Sequence, residues 1–433
     1  MTEGGRPAMT NPILSFAKID HRSGQGRVFG IRERDLLRHV YVLGKTGTGK
    51  SALLERLLLK VIHGGGGCAL IDPHGDLAEK ILEFVPRHRV NDVVLFDPAD
   101  TEHPVGMNLL ENTSPERRPI VASGALGVFR KIYSEYWGPR MEHVFRNVLL
   151  ALLDVRGTTL LGVPRMLVED RYRATVVRQV KDPLVRFFWT REFPTYPKPF
   201  LAEVIAPVEN KVMALLASPT LRHIVGQHTS TIIPRDIMDE GRILVANLSK
   251  GKLSEDASML LGAALVTKFE LAAYSRAELP ERDRKPFIFI LDEFASFVTD
   301  SFQSILSEGR KYGLSLVLAH QHLGQLGEEL RRAVIGNAGT LITFRLGAED
   351  AEILGPEYLP ELAPHDLTRL ARHQIAIRLM VDGLMTTPFT AVTLPPARDE
   401  EREGHSDLIR RVSRERYGVP LVRVKEMIER QMN

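Results

Sequence analysis

Short runs of apolar residues alternate along this chain with stretches in which apolar positions recur every three to four residues. Val40–Leu43, Ala69–Ile71 and Val93–Phe96 are unbroken apolar runs of strand length, which predicts buried strands. Between them, Ser51–Ile62 and Asp76–Phe84 have the apolar spacing of amphipathic helices. Strands and helices that alternate with short links predict a parallel sheet with right-handed crossovers.

The alternation stops in the middle of the chain and then resumes. From Asn108 to Pro234 the pattern is mainly helical, and from Ile243–Asn247 onwards apolar strand-like runs return. We therefore predict an α/β fold with a mainly parallel sheet, interrupted by an all-helical insertion. The predicted units are a flexible N-terminal segment (1–26), the first part of the core (27–107), the helical insertion (108–235), the second part of the core (236–397) and a charged helical C-terminal tail (398–433).

Composition excludes several classes of protein. The chain has 433 residues with 44% hydrophobic and 26% charged positions, as in a soluble globular protein. Cys68 is the one cysteine, which excludes an internal disulfide framework and a cysteine-based zinc site. No run of about eighteen apolar residues and no signal-peptide pattern occurs. We therefore expect a cytoplasmic protein that can also dock peripherally at the inner face of a membrane.

A glycine-rich loop follows the predicted strand Val40–Leu43. Residues 44–51 have the pattern G-x-x-x-x-G-K-[ST], and an amphipathic helix begins there. Backbone N–H groups of such a loop cradle phosphates, its lysine reaches the β- and γ-phosphates, and its hydroxyl ligates Mg²⁺. The predicted ATP-binding residues are Gly44, Lys45, Thr46, Gly47, Thr48, Gly49, Lys50 and Ser51.

Two carboxylates follow another apolar strand. Asp292 and Glu293 come directly after Phe287–Leu291, and ligands of open α/β sheets gather at the carboxyl ends of the strands. Asp292 is the predicted Mg²⁺ ligand together with Ser51, and Glu293 is the predicted base that activates water.

The next strand supplies a polar candidate and a cationic one. Gln321, after Ser315–Ala319, is the predicted γ-phosphate sensor, and we expect the flanking histidines to form local hydrogen bonds rather than to bind metal. Upstream, Arg310 is predicted to lie near the active edge of the sheet, either as an arginine finger for a neighbouring subunit or as part of a solvated turn. Arg345 is the competing candidate for the finger.

Four segments together resemble a known superfamily. The loop at residues 44–51, Ile71-Asp-Pro-His-Gly-Asp76, Leu291-Asp-Glu-Phe294 and the stretch from Glu308 to Gln321 are similar to the HerA/FtsK superfamily of motor ATPases, and within it to TraD/TrwB-like coupling proteins of type IV secretion and conjugation. The resemblance implies a RecA-like P-loop core, a homohexameric ring that translocates DNA, catalytic roles for Lys50, Glu293 and Gln321, and a trans-acting role for Arg310. Membrane coupling proteins usually begin with transmembrane helices and HerA-like ATPases often with a barrel, so we expect this chain to be a motor core with its insertion.

The helical insertion has an excess of positive charge, which bears on whether the protein binds DNA. From Glu116 to Thr190 there are thirteen Lys/Arg and seven Asp/Glu, an excess of +6, with Tyr133, Tyr136 and Trp137 among them. Such a surface fits DNA phosphates, or it is the solvated face of a helical domain. Three functions stay open: a DNA-translocating coupling ATPase that works with membrane secretion-channel proteins, a HerA-like ATPase that works with a nuclease, and a secretion or pilus assembly ATPase without DNA contact.

Overall fold

A large twisted sheet runs through the molecule, as described by a computed structural model for residues 13–20, 24–111, 114–133, 137–299 and 302–433. The strands are β1 (Ile13–Ile19), β2 (Val28–Arg32), β3 (Val40–Leu43), β4 (Gly67–Asp72), β5 (Val93–Phe96), β6 (Ile243–Asn247), β7 (Phe287–Leu291), β8 (Leu314–His320), β9 (Thr340–Thr343), β10 (Gln374–Arg378), β11 (Met380–Val381), β12 (Leu384–Met385) and β13 (Phe389–Thr393). Eleven of them form one sheet in the order β2-β1-β13-β10-β9-β3-β8-β7-β4-β6-β5, and β11 pairs with β12.

The helices flank this sheet or form the insertion. They are α1 (Glu33–Leu36), α2 (Lys50–His63), α3 (Asp76–Glu83), α4 (Arg118–Ile132), α5 (Pro139–Leu153), α6 (Gly162–Val168), α7 (Asp170–Gln179), α8 (Pro183–Phe187), α9 (Lys198–Leu216), α10 (Pro219–Val225), α11 (Pro234–Glu240), α12 (Glu255–Ser275), α13 (Phe302–Glu308), α14 (Glu328–Asn337), α15 (Ala348–Leu354), α16 (Pro364–Arg369), α17 (Ser406–Tyr417) and α18 (Leu421–Met432).

The seven strands from β9 to β5 are parallel, and the strands on the other side of β9 are antiparallel. Every residue of β3, β4, β7 and β8 is buried, because helices cover both faces of the sheet. Alternate residues of β7 enter opposite apolar clusters, with Phe289 on one face and Ile290 on the other. The prediction of an α/β fold with a mainly parallel sheet is confirmed.

The chain between β5 and β6 contains helices α4 to α11. Their apolar side chains, such as Phe129 and Phe145, belong to the same cluster as Phe289 of the sheet. The helical region therefore packs directly on one face of the core. The stretch Glu255–Glu278, which includes α12, is long and apolar enough to cross a membrane by length and composition, but 72% of its apolar window is buried inside the fold.

The predicted flexibility of residues 1–26 is wrong for the part that the structure describes. Strand β1 pairs with β2 and β13, and Phe16 and Ala17 are fully buried. The alternation of Leu14 and Phe16 with more exposed neighbours produces this half-buried strand. Residues 1–12 and 21–23, and Tyr136 of the predicted basic surface, lie outside the described residues.

Candidate functional site

The glycine-rich loop connects β3 to α2. Gly49 has φ 124°, and a Cβ atom there would lie 2.7 Å from Nδ1 of His373, so only glycine fits. Lys50 folds back over the loop, and its Nζ donates to the carbonyl oxygens of Gly44 at 2.6 Å and Lys45 at 3.3 Å. Burial lowers the pKa of Lys50, and the carboxylates of Glu293 and Asp292 act in the opposite direction. The loop thus holds a buried ammonium beside two carboxyl groups.

The two carboxyl groups follow β7, the neighbour of both β8 and β4. Burial, followed by the charges of Asp72 and Glu293, raises the pKa of Asp292 to about 6. The backbone N–H of Asp292 donates to the carbonyl of Ile71 at 3.1 Å, which joins the ends of β7 and β4. Glu293 has φ 49°, a left-handed conformation that is unusual for a non-glycine residue and occurs often at functional sites.

A chain of two hydrogen bonds connects the loop to Glu293. The hydroxyl of Thr46 donates to Oε1 of Gln321 at 2.7 Å, and Nε2 of Gln321 donates to Oε1 of Glu293 at 2.7 Å. Gln321 can bridge them because it follows β8, which lies between β3 and β7. The structure therefore brings together three predicted site residues that are far apart in sequence.

The segment Asp72 to Asp76 has a structural part in this site. The carboxylate of Asp72 is fully buried and accepts the backbone N–H groups of His74 at 2.8 Å and Ala78 at 2.9 Å. These bonds hold the turn between β4 and α3. The charge of Asp72 is also one cause of the raised pKa of Asp292.

Arg310 lies at the wrong end of the sheet for its own site. It is exposed, in a short 3₁₀ turn (Gly309–Tyr312) that precedes β8, whereas the loop and carboxylates lie where the parallel strands end. The prediction that Arg310 lies near the active edge is wrong within one chain, because the seven residues of β8 separate it from Gln321 by about 20 Å. Arg345 follows β9, and its carbonyl accepts the N–H of Lys45 at 3.2 Å, so it lies at the site's edge with an exposed side chain.

A cleft of about 400 Å³ joins the predicted residues to others that sequence reasoning missed. Its lining is Thr46, Gly47, Gly49, Lys50, Ser51, Ala52, His74, Asp292, Glu293, Gln321, Arg372, His373 and Pro396. Arg372, His373 and Pro396 come from loops beside the antiparallel strands β10 and β13. They carry no motif by which a single sequence would reveal them.

The histidines beside Gln321 are expected to form local hydrogen bonds, and for His320 the contact with Gln325 confirms this, whereas its second partner, Tyr41, is distant in sequence. Its ring lies 2.5 Å from the hydroxyl of Tyr41 and 3.2 Å from Oε1 of Gln325, measured from Nε2 and Nδ1. Burial lowers the pKa of His320 to about 3. Among the described residues, no group of three or more His, Cys, Asp or Glu side chains is arranged to hold a metal ion. A Mg²⁺ ion at Ser51 and Asp292 would therefore need phosphate and water oxygens as further ligands, which is its usual coordination.

Ion pairs neutralise part of the basic stretch in the insertion. Arg118 pairs with Asp154, Arg165 with Glu169, and further arginines pair in the same way. Within the described part of residues 116–190, five cations contact no carboxylate, and four of them lie on or beside α7 and α8. The five are Arg156, Arg171, Arg178, Lys181 and Arg186.

Comparison with known proteins adds two family matches. The family model "Helicase HerA, central domain" matches residues 29–119, which include the loop, and "TraM recognition site of TraD and TraG" matches residues 286–355, which include Asp292, Glu293 and Gln321. The type 4 coupling protein DotL of Legionella pneumophila is 22% identical over 412 residues, which are 80% of this chain and 52% of DotL. The chain thus spans about half the length of this curated relative.

Solved structures share the fold. The plasmid coupling protein TrwB in complex with ADP and Mg²⁺ has a TM-score of 0.63 at 16% identity, over 87% of this chain and 89% of that one. VirB4 of Thermoanaerobacter pseudethanolicus has a TM-score of 0.55 at 14% identity, over 91% of this chain and 98% of that one. At these identities the likeness concerns the fold alone.

Proposed function

We propose that this chain, a TraD/TrwB-like protein of the HerA/FtsK superfamily, is an ATP-hydrolysing motor that translocates DNA as a coupling ATPase of conjugation or type IV secretion. The observation that carries the proposal is the hydrogen-bonded chain from Thr46 through Gln321 to Glu293. It connects a phosphate-binding loop to a carboxylate through the side chain of one glutamine. The resemblance to coupling proteins supports the biological role.

Binding of ATP follows from the shape of the loop. The backbone N–H groups of residues 44–51 and the N-terminus of α2 cradle the phosphates, and Lys50 exchanges its bonds to the loop carbonyls for bonds to the β- and γ-phosphates. Ser51 and Asp292 line the same cleft and would hold Mg²⁺. When bound, the ion neutralises charge on the phosphate oxygens.

Hydrolysis requires a positioned water molecule and a proton acceptor. Glu293 accepts the proton of the attacking water while the water oxygen bonds to the γ-phosphorus and the bond from that phosphorus to the ADP oxygen breaks. Gln321 forms hydrogen bonds to both Glu293 and Thr46. A movement of the loop at Thr46 therefore displaces the carboxylate of Glu293. Through this link Gln321 senses whether the γ-phosphate is present.

The ring belongs to the proposal as well. We infer a homohexamer in which Arg310 of one subunit enters the ATP site of its neighbour, because Arg310 cannot reach the site of its own chain. Cations on α7 and α8 then contact the phosphates of DNA, which makes binding dependent on salt.

ATP hydrolysis tests the motor directly. The rate is measured with no DNA, with single-stranded DNA and with double-stranded DNA at two salt concentrations, and Lys50→Ala serves as the blank. We expect stimulation that fades at the higher salt concentration. A rate that responds to no DNA would overturn the DNA-translocating function.

A charge-removal variant locates the DNA contact. Its substitutions are Arg171→Ala, Arg178→Ala, Lys181→Ala and Arg186→Ala, and the matched control removes four exposed cations elsewhere, Arg282, Arg411, Arg423 and Lys425. We expect the first variant to lose most of the DNA stimulation and the control to keep it. Equal losses in both variants would mean that α7 and α8 do not form the contact.

A second function is favoured by the match of residues 29–119 to the HerA central domain. In that case the chain is an ATPase that works with a nuclease in DNA processing or defence. Purification of the native complex distinguishes the two, because one predicts secretion-channel proteins as partners and the other predicts a nuclease. An assembly ATPase without DNA contact, the remaining candidate, predicts hydrolysis that is indifferent to DNA.

A further inference from the structure

The nucleotide cleft has two ends that different parts of the chain form. Thr46, Gln321 and Glu293 form the end that the hydrolytic chain of hydrogen bonds occupies. Arg372, His373 and Pro396 line the cleft with Ala52, in the first turn of α2. Strand β10 runs antiparallel to β9, so its beginning lies at the edge where the parallel strands end. This topology brings residues 372 and 373 to the glycine-rich loop.

The backbone at His373 is tied firmly to that loop. Its N–H donates to the carbonyl of Thr48 at 2.9 Å, and its own carbonyl accepts the N–H of Thr393 at 2.9 Å. The residue has φ 65°, and its ring lies against Gly49. The position of the neighbouring Arg372 is thereby fixed relative to Gly49–Ala52, the part of the loop and helix that cradles the α- and β-phosphates.

The guanidinium of Arg372 has no ion pair and no hydrogen bond within the described residues, although it lines the cleft. Two other charged side chains of the cleft have hydrogen-bond partners within the chain: Lys50 donates to the loop carbonyls, and Glu293 accepts from Gln321. A planar guanidinium matches two phosphate oxygens at once, which makes arginine suited to phosphate recognition. The guanidinium of Arg372 is therefore available to bind a ligand in the cleft.

We propose that Arg372 binds the nucleotide in cis, at its α- and β-phosphates, and so sets the affinity for ADP and ATP alike. The proposal rests on the nucleotide-binding function proposed above. It assigns to the same chain an arginine that differs from Arg310, which serves a neighbouring subunit. Arg372 contributes to binding of the nucleotide rather than to its hydrolysis. The γ-phosphate lies at the other end of the cleft, beside Gln321 and Glu293.

The test is equilibrium binding of a fluorescent ADP and of a fluorescent non-hydrolysable ATP analogue, both with Mg²⁺. Arg372→Ala is expected to weaken binding of both nucleotides by the same factor, about tenfold or more, as for loss of a charge-assisted hydrogen bond. Arg372→Lys keeps the charge without the planar fork and is expected to recover part of the affinity.

The matched control is Arg369→Ala, because Arg369 is an exposed arginine at the end of α16 that does not line the cleft. We expect its affinities to match those of the unmodified chain, and thermal unfolding of each variant checks that the fold is intact. A loss confined to the ATP analogue would move Arg372 to the γ-phosphate and overturn the proposal, as would an unchanged affinity. If the unmodified chain itself binds neither nucleotide, the proposed function fails as well. That outcome differs from a failure of the Arg372 proposal, in which the unmodified chain binds nucleotide and Arg372→Ala binds it equally well.

Discussion

The two edges of the parallel sheet carry charge in opposite ways. Where the strands end, Lys50, Asp292, Glu293 and Gln321 line one cleft, and hydrogen bonds tie most of them to the loop or to one another. Where β8 begins, Arg310 is exposed and has no partner within the described residues. In the proposed function, one edge is the hydrolytic site and the other presents a cation to a neighbouring subunit.

This difference implies that one subunit can bind ATP, whereas hydrolysis in the proposed function needs an assembly of subunits. In the proposed function, binding and positioning of ATP use groups on the carboxyl edge. A cation from the amino edge reaches such a site only when it comes from another copy of the chain. The contrast between the edges therefore predicts that nucleotide binding and hydrolysis respond differently to substitutions.

The largest effect is expected from Arg310→Ala. It should lower the hydrolysis rate of the assembled protein by about 10³-fold, the range for an arginine finger, and leave the nucleotide affinity of the isolated chain unchanged. The adjacent exposed cation in Lys311→Ala is the control for local charge. An equal loss for Arg345→Ala, with none for Arg310→Ala, would assign the finger to the carboxyl edge instead.

Mixing of two inactive variants tests whether Arg310 acts in the ATP site of a neighbouring subunit. Subunits with Arg310→Ala are combined with subunits that carry Glu293→Gln. If Arg310 acts in trans, some interfaces contain neither lesion and hydrolysis returns in the mixture. Activity that equals only the sum of the two inactive proteins would contradict a trans role.

A somewhat smaller effect is expected at the carboxyl edge from Glu293→Gln. Loss of the general base should lower the hydrolysis rate by about 10²–10³-fold, while binding of the non-hydrolysable ATP analogue is retained because Lys50 and the loop are intact. Single-turnover hydrolysis and equilibrium binding measure the two quantities separately. Exposed Glu400→Gln, in the C-terminal tail, is the control. Loss of binding together with hydrolysis would mean that Glu293 supports the fold of the cleft.

The smallest effect concerns stability in acid, because each edge contains a buried histidine. Burial lowers the pKa of His39, near the start of β3, to about 4 and that of His320, at the end of β8, to about 3. Both lie below the ordinary value near 6.5, so protonation favours the unfolded chain. Stability is full above pH 6.5 and is lost as the pH falls towards these values.

At pH 5 the loss should be about 2 kcal/mol for each histidine, measured as the change in the free energy of unfolding by urea between pH 7.5 and pH 5. His39→Asn should remove the share of His39, about 2 kcal/mol, and asparagine also tolerates the left-handed backbone that His39 adopts with φ 64°. Exposed His88→Asn should leave the loss as it is. No change in pH dependence with His39→Asn would show that this histidine is not the acid-labile group of the amino edge.

Much of the fold and part of the site were predictable from the chain alone. Apolar runs located β3, β4, β5 and β7, and the glycine-rich loop and the Asp292–Glu293 pair were visible because each is a contiguous motif. Strand β1 was missed because its alternation is short and lies in a polar segment. The resemblance to the HerA/FtsK superfamily was also visible, since the motifs occur in a recognisable order.

Contiguous residues therefore determined the local chemistry of this protein: a loop that cradles phosphate and a strand that ends in two carboxylates. The tertiary structure decided which of these groups meet. Gln321 bridges Thr46 and Glu293 because β8 lies between β3 and β7, Arg372 enters the cleft because β10 runs against β9, and Arg310 is excluded because it precedes its strand instead of following it. Strand order and direction are set by packing between distant segments, and no local pattern of residues encodes them.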